Sequence, residues 1–533
     1  MGRTADNTNL ERELLQMKKS LLIFIALVIM FSIVMAGCAN GNNAETGKSN
    51  NNQPQPTIST PASEGVQDVS PVELKMLLVD HPVWPYNENW PIYKYIKEET
   101  GVSFNAQGQP GSDYDNVLNL TIASGDIPDI VFLTNTLQAN RFGAQGAFVN
   151  ILDYLDDMPS YKAFLDQHTD VKESILSADG SSYLFPNHGL GEQFRRVWQY
   201  REDIFQKHDL KVPANYDELY VVAKQLQELY PDSYPINFYD KLNSISYIVT
   251  NFGTWDSAYY DHSSKQWKYG PTEDNFKTML EYLHTFHSEG LIPPDFMSMQ
   301  RNQSRDLFAQ DKSFITADFI GIIDEYKVAL ADKPEFQLAY MPPLAGGANG
   351  EQKNPFSSFQ TSGFAIASTS KNIDAAIRYF DYLYSQEGIE LVSWGREGET
   401  YVVENGKKKI IEDFKDFGDL RVKTGMVTNG SYAAMDFDAY LSMASDTLNH
   451  AFTLVEQYET LPQPRPALND QEIEIMATIG QSVRKHYEEN IAKFIIGSRS
   501  LSEWDQYVTE ANKLGTDKIV EVYTNAYNRV LDN

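Results

Sequence analysis

The chain of 533 residues has one cysteine, Cys38. No internal disulfide can form, and neither a thiolate nucleophile nor a cysteine-based zinc site can be built in the body of the protein. Cations are also scarce: 44 Lys and Arg stand against 73 Asp and Glu, a formal net charge of −29. That balance excludes the basic surface on which nucleic-acid and anionic-lipid binding depend. There is no Gly-x-Ser-x-Gly, no His-Glu-x-x-His and no phosphate loop. The nine histidines are scattered and none pairs at i, i+4. His284 and His287 are three apart on a predicted helix, where a solvated helix face is a better account than zinc. Glycoside cleavage needs two carboxylates at a set separation, but with so many acidic residues close pairs are unavoidable and carry no weight. The expectation is therefore no catalytic residue, no cofactor and no metal.

One long apolar run is present, from Leu21 to Met35. It is shorter than the ~20 residues a membrane-spanning helix needs. Lys18 and Lys19 precede it and Ala36-Gly37-Cys38 follows, which gives the three parts of an export signal. Its start is expected at Met17. Met35-Ala36-Gly37-Cys38 resembles the bacterial lipobox, in which the Cys becomes the lipidated first residue; Met35 stands where Leu is usual. Residues 1–37 are thus read as the signal peptide, with diacylglycerol and palmitate chains on Cys38. The stretch from Cys38 to about Ser70 is rich in Asn, Ser, Thr, Gln, Pro and Gly and nearly devoid of large apolar residues. It cannot bury enough surface to order itself and reads as a tether of roughly 30 Å reach. Removing residues 1–37 takes away four basic and three acidic residues, leaving 40 against 70.

About 460 residues remain, enough for two or three lobes. Val72 to Val79 alternates and then turns apolar, as a strand does. Pro91 to Gly101 has helical spacing with Pro near its start and Gly at its end. Val102-Ser103-Phe104 opens a second strand, Tyr114 to Ser124 a second helix, and Ile130 to Leu133 a third, buried strand. Strands alternating with helices predict a largely parallel α/β sheet, whose ligands bind beyond the carboxyl ends of the strands. Later segments are helix-rich, among them Tyr216 to Tyr230, Glu273 to Glu289, Ile373 to Ser385, Asp470 to Ile495 and Lys518 to Val530.

Several stretches resemble, in order, motifs of the family 1 extracellular solute-binding proteins of ABC importers, in particular the large lipoprotein branch of Gram-positive bacteria. Ser124-Gly125-Asp126-Ile127-Pro128-Asp129 is similar to its helix–turn–strand passage, and Tyr183-Leu184-Phe185-Pro186 with Tyr200-Arg201-Glu202-Asp203 to its passage between lobes. Asn215-Tyr216-Asp217-Glu218-Leu219, Ser385-Gln386-Glu387-Gly388, Trp394-Gly395-Arg396-Glu397-Gly398 and the ending from Phe494 to Arg529 follow the same pattern. The resemblance implies a type II, two-lobed, periplasmic-binding-protein-like α/β fold with a helix-rich second lobe and a ligand cleft between lobes. It places residues 71–188 with 342–385 in the amino-terminal lobe and 189–341 with 386–533 in the carboxy-terminal lobe. The chain would cross near Pro186 to Gly189, near Tyr340 to Pro343 and near Gln386. It further implies a carbohydrate ligand, an ABC permease as partner, attachment to the extracellular side of the cell membrane through Cys38, no nucleic acid, and a monomer. Some relatives carry a calcium loop; Glu228 to Asn237 lacks the alternating oxygen ligands and the central Gly such a loop requires. A lipid-anchored carbohydrate-active enzyme and a ligand-loaded sensor are the alternatives.

A sugar presents a flat apolar face rimmed by hydroxyls, so its site needs aromatic surface and paired polar groups. Trp84, Trp90, Trp198, Trp255 and Trp394 are the aromatic candidates; for each the competing account is core packing. Asp129, Asn135 and Asp318 flank predicted strands, and Arg396 neighbours Trp394. The acidic excess disfavours a strongly anionic ligand unless Arg195, Arg196, Arg301 or Arg396 lines the cleft.

Overall fold

The computed structural model describes residues 71–531 apart from 192–194, 240, 349, 356–358 and 412. Residues 1–70, where the export signal, Cys38 as lipidation site and the tether are expected, lie outside the described residues. Strand β1 (Val72–Asp80) buries Leu74, Met76, Leu77 and Leu78, an apolar run that only a strand covered on both faces can hide. It pairs in parallel with β2 (Val102–Pro110). A parallel pair needs a crossover, which the Pro91–Thr100 helix supplies. Pro91 takes the helix's first position, where no N–H is needed, and Gly101 ends it at φ +72°. The Tyr114–Ser124 helix makes the next crossover to β3 (Ile130–Leu133), all four of whose residues are buried. Strand β4 (Phe185–His188) closes this part of the chain.

A second sheet follows. Its strands are β5 (Arg196–Arg201), β6 (Ile236–Asn237), β9 (Ile315–Phe319) and β10 (Leu338–Met341), in the order β10-β5-β9-β6. The hairpin of β7 (Ala258–Asp261) and β8 (Gln266–Tyr269) stands apart from it. The chain then returns. Strand β11 (Phe359–Ile366) enters the first sheet antiparallel to both β3 and β4, giving the order β2-β1-β3-β11-β4. At Gly363 a Cβ would stand 1.9 Å from the Phe185 carbonyl oxygen, so β4 and β11 meet at a contact only glycine permits.

The third crossing departs from the expectation of one near Gln386. Leu391, Val392, Trp394, Tyr401, Phe417, Leu420 and Tyr432 are all buried in the core of the first lobe. The amphipathic Gln386–Trp394 helix therefore faces inward on that lobe, and the chain leaves it only around Phe437 to Ala444. The Asp446–Val455 helix then packs Leu448, Ala451 and Val455 against Val197, Ile320, Ile323 and Tyr340 beside the second sheet. Tyr487, Ile491, Phe494, Trp504 and Tyr507, from the last helices, complete the second core.

Candidate functional site

In an α/β sheet the carboxyl ends of the strands are where ligands are expected. In the first sheet, the carboxyl ends of β1, β3 and β4 are Asp80, Leu133 and His188. In the second, Phe319 ends β9, Arg196 begins the antiparallel β5, and Tyr239 follows β6. Asp80 accepts the Tyr86 N–H at 2.9 Å and lies against Gly108, where a Cβ would collide with its carboxylate at 2.2 Å. This folds the loop after β1 back and presents Trp84. The Trp84 indole stacks on His81 with ring centroids 3.6 Å apart and planes 7° from parallel. The guanidinium of Arg421, from the Phe417–Thr424 helix, stands 5.0 Å from the Trp84 ring and 4.7 Å from Phe417. Partial burial and, second, the Arg421 charge hold the His81 imidazolium pKa below its ordinary value, so His81 stacks as a neutral ring.

On the opposite edge Asp318 is fully buried. One of its oxygens, Oδ1, accepts the Tyr239 hydroxyl at 2.9 Å and the Phe319 N–H at 2.7 Å; Oδ2 has no hydrogen-bond partner. Burial pushes this carboxyl up to about 6, against the smaller opposing pulls of Arg301 and Arg196. Arg196 lays its guanidinium 3.2 Å from the Phe319 ring centroid and 4.4 Å from that of Tyr247. A cavity of about 470 Å³ has Trp84, Phe417 and Arg421 on one side, Gly321 and Asp324 on the other, and Tyr440 from the crossing segment; Asp318, Tyr239 and Arg196 are not in its wall. Two further volumes, about 520 and 340 Å³, share Leu137 of the first lobe with Ala258 and Tyr523 of the second. A further volume, about 640 Å³, is walled by first-lobe residues such as Phe164, His188 and Glu387, so relative motion of the lobes would not close it.

The sequence model of the bacterial extracellular solute-binding proteins matches residues 89–390, more than half of the chain. The chain belongs to that family. Among characterised relatives of this solute-binding protein is the polygalacturonan/rhamnogalacturonan-binding protein YtcQ of Bacillus subtilis, 22% identical over 95% of this chain and 98% of its own. Another is FusA of Streptococcus pneumoniae, a fructooligosaccharide ABC transporter substrate-binding protein, 21% identical over 86% of this chain and 91% of its own. The alginate-binding protein AlgQ2 shares the fold, with a TM-score of 0.72 at 23% identity over 86% of this chain and 98% of that one.

The solute-binding protein uses its sequence-predicted residues unevenly. Trp84 lines the 470 Å³ cavity and Asn135 the 340 Å³ one, where Asn135 also caps the Thr136–Ala144 helix by accepting the Gln138 N–H. Trp255 is half-buried near Tyr259, next to Asp256 in the 520 Å³ wall. Asp318 sits one residue before the cleft end of β9. The other five line none of these volumes. Trp198 is fully buried in the second core, its indole N–H donated to Asn251 at 2.9 Å. Trp90 is buried in the first core and donates to the Val422 carbonyl at 2.8 Å. Trp394 is buried and donates to Asp436 at 2.7 Å, which ties the Gln386–Trp394 helix to the segment entering the third crossing. Asp129 lies at the amino end of β3, away from the cleft edge, and clamps the Lys75 N–H and the Ser370 hydroxyl. Arg396 pairs with Glu98 at 2.7 Å and stacks on Tyr95, all on the first lobe. Arg421 and Tyr440, which the sequence reading did not single out, stand in the cleft wall instead.

Proposed function

We propose that this chain is the substrate-binding lipoprotein of an ABC importer, that it captures an oligosaccharide between its lobes, and that it hands the sugar intact to a membrane permease. The cavity walled by both lobes carries this reading, because closing the lobes on a ligand there couples binding to a change of shape that a permease can recognise. The relatives' names support a sugar ligand, and they include binders of both acidic and neutral glycans. A further relative, the Bacillus subtilis lipoprotein LipO, 22% identical over 70% of this chain, supports attachment at the extracellular membrane face. In this reading Trp84 and Phe417 contact the sugar from the first lobe, while Gly321 and Asp324 meet it from the second. The protein is not an enzyme.

A thermal-shift screen of the full chain in detergent against mono- and oligosaccharides, with chromatography of the same mixtures, tests this. One sugar class raises Tm in proportion to RT ln(1 + [L]/Kd) and is recovered whole. Cleaved sugar would overturn the reading in favour of a carbohydrate-active enzyme. In the same assay Trp84→Ala is expected to weaken binding about tenfold, the scale of one aromatic contact. Trp84 is only half-buried, so the melting temperature of the free protein should hardly move. Unchanged affinity would remove Trp84 from the site. Cys38→Ser is expected to move the protein from the membrane fraction to the culture medium; retention at the membrane would exclude Cys38 as the anchor.

A further inference from the structure

Arg421 differs from the other buried arginines of this molecule. Arg201 pairs with Asp203 and Asp311, and Arg195 with Glu459. Arg421 is 6% exposed, yet its Nε and Nη2 have no hydrogen-bond partner, and among the described residues no carboxylate lies within ion-pair distance. Its neighbours are the rings of Phe417 and Trp84 and the uncharged phenols of Tyr432 and Tyr440. The carboxylates that share its cavity are engaged elsewhere. Asp324 accepts the Ser445 N–H at 2.8 Å and the Ser445 hydroxyl, Glu325 holds Arg301 at 2.6 Å, and Asp416 caps its own helix through the Asp419 N–H at 2.8 Å. A guanidinium withdrawn from water without a counter-charge is costly to the folded state. That cost is recovered when a ligand supplies the charge.

We propose that Arg421 is the anion-recognising residue of the cleft and that the captured oligosaccharide carries a carboxylate there, as a chain of uronic acid residues does. The proposal rests on the oligosaccharide reading above and narrows it. A planar guanidinium with two free donor nitrogens matches a carboxylate in a way a hydroxyl does not.

Titration calorimetry on the full chain in detergent tests the proposal with three matched pairs of probes. These are trisaccharides of galacturonate, mannuronate and glucuronate, each beside the same trisaccharide with its carboxyls reduced to hydroxymethyl groups. One acid is expected to bind roughly 30-fold more tightly than its reduced partner, the worth of hydrogen bonds to a charged group. In Arg421→Met the ratio of acid to reduced-sugar affinity collapses, and the ligand-free variant melts at the same or a higher temperature than the parent. Equal or tighter binding of the reduced sugars, or a preference that survives Arg421→Met, overturns the carboxylate proposal and leaves the oligosaccharide reading standing. A clear fall in the melting temperature of ligand-free Arg421→Met also overturns it, by showing that Arg421 serves the fold. If no sugar of either series binds, and none of the neutral sugars in the thermal-shift screen does, both readings fall together.

Discussion

Trp198→Ala is expected to lower the unfolding free energy by about 3–5 kcal/mol, the cost of emptying the space of a large aromatic core residue. Trp198 has no solvent exposure. It lies in the middle strand pairing of the second sheet, opposite Ala317 on one side and Met341 on the other. Its ring meets Tyr216 and Phe238 edge-to-face at 6.0 and 5.9 Å. Its N–H bonds to Asn251, which also accepts the Tyr216 hydroxyl and donates to the Lys353 carbonyl. The substitution therefore removes packing and leaves a buried acceptor short of one donor. Trp198→Phe should cost about half as much, because most of the packing survives and only the hydrogen bond is lost. Urea unfolding followed by circular dichroism measures both. A loss below ~1 kcal/mol for the alanine variant would mean that the second core does not depend on this ring.

The second large effect concerns pH. Burial carries the Asp318 carboxyl from its ordinary 3.8 to about 6. The folded state thus keeps a proton that the unfolded chain releases. A raised acid pKa makes the folded state relatively most stable below about pH 4, and stability falls as the pH rises from there through about 6. At 1.36 kcal/mol per pH unit, the accumulated loss at neutral pH is about 3 kcal/mol. Asp318→Asn keeps an acceptor for Tyr239 and for the Phe319 N–H but carries no charge. It is expected to match the parent near pH 4, to exceed it by about 3 kcal/mol at pH 7, and to flatten the slope between. Urea midpoints collected from pH 4 to 7.5 check this. A variant with the parent's slope would assign the pH dependence to other groups.

How much of this was legible in the chain depends on range. The crossover helices announced themselves locally: Pro91 and Gly101 bracket one, and Gly125 ends the next at φ +74°. The apolar runs of β1 and β3 were equally plain. The site was less so, because burial of a side chain is set by partners distant in sequence. Trp90 stands in a polar loop and reads as exposed, but its N–H finds a carbonyl 332 residues away. Asp129 follows a turn and precedes a strand, which fits a ligand contact as well as a clamp, and only the polarity of β3 decides between them. Arg421 sits in a helix with no motif around it. What marks it out is the absence of a counter-charge after the 417–440 segment folds back over the loop carrying Trp84, and no local pattern records that.

The insertion of β11 between β3 and β4 also bears on how the protein comes into being. The strand that bridges them is synthesised only after every strand of the second sheet, so the first sheet has a gap until the chain has gone out and come back. The second core has its own deferred members, Tyr487 to Tyr507. Neither lobe is self-sufficient at any intermediate chain length, and such long-range closure slows folding.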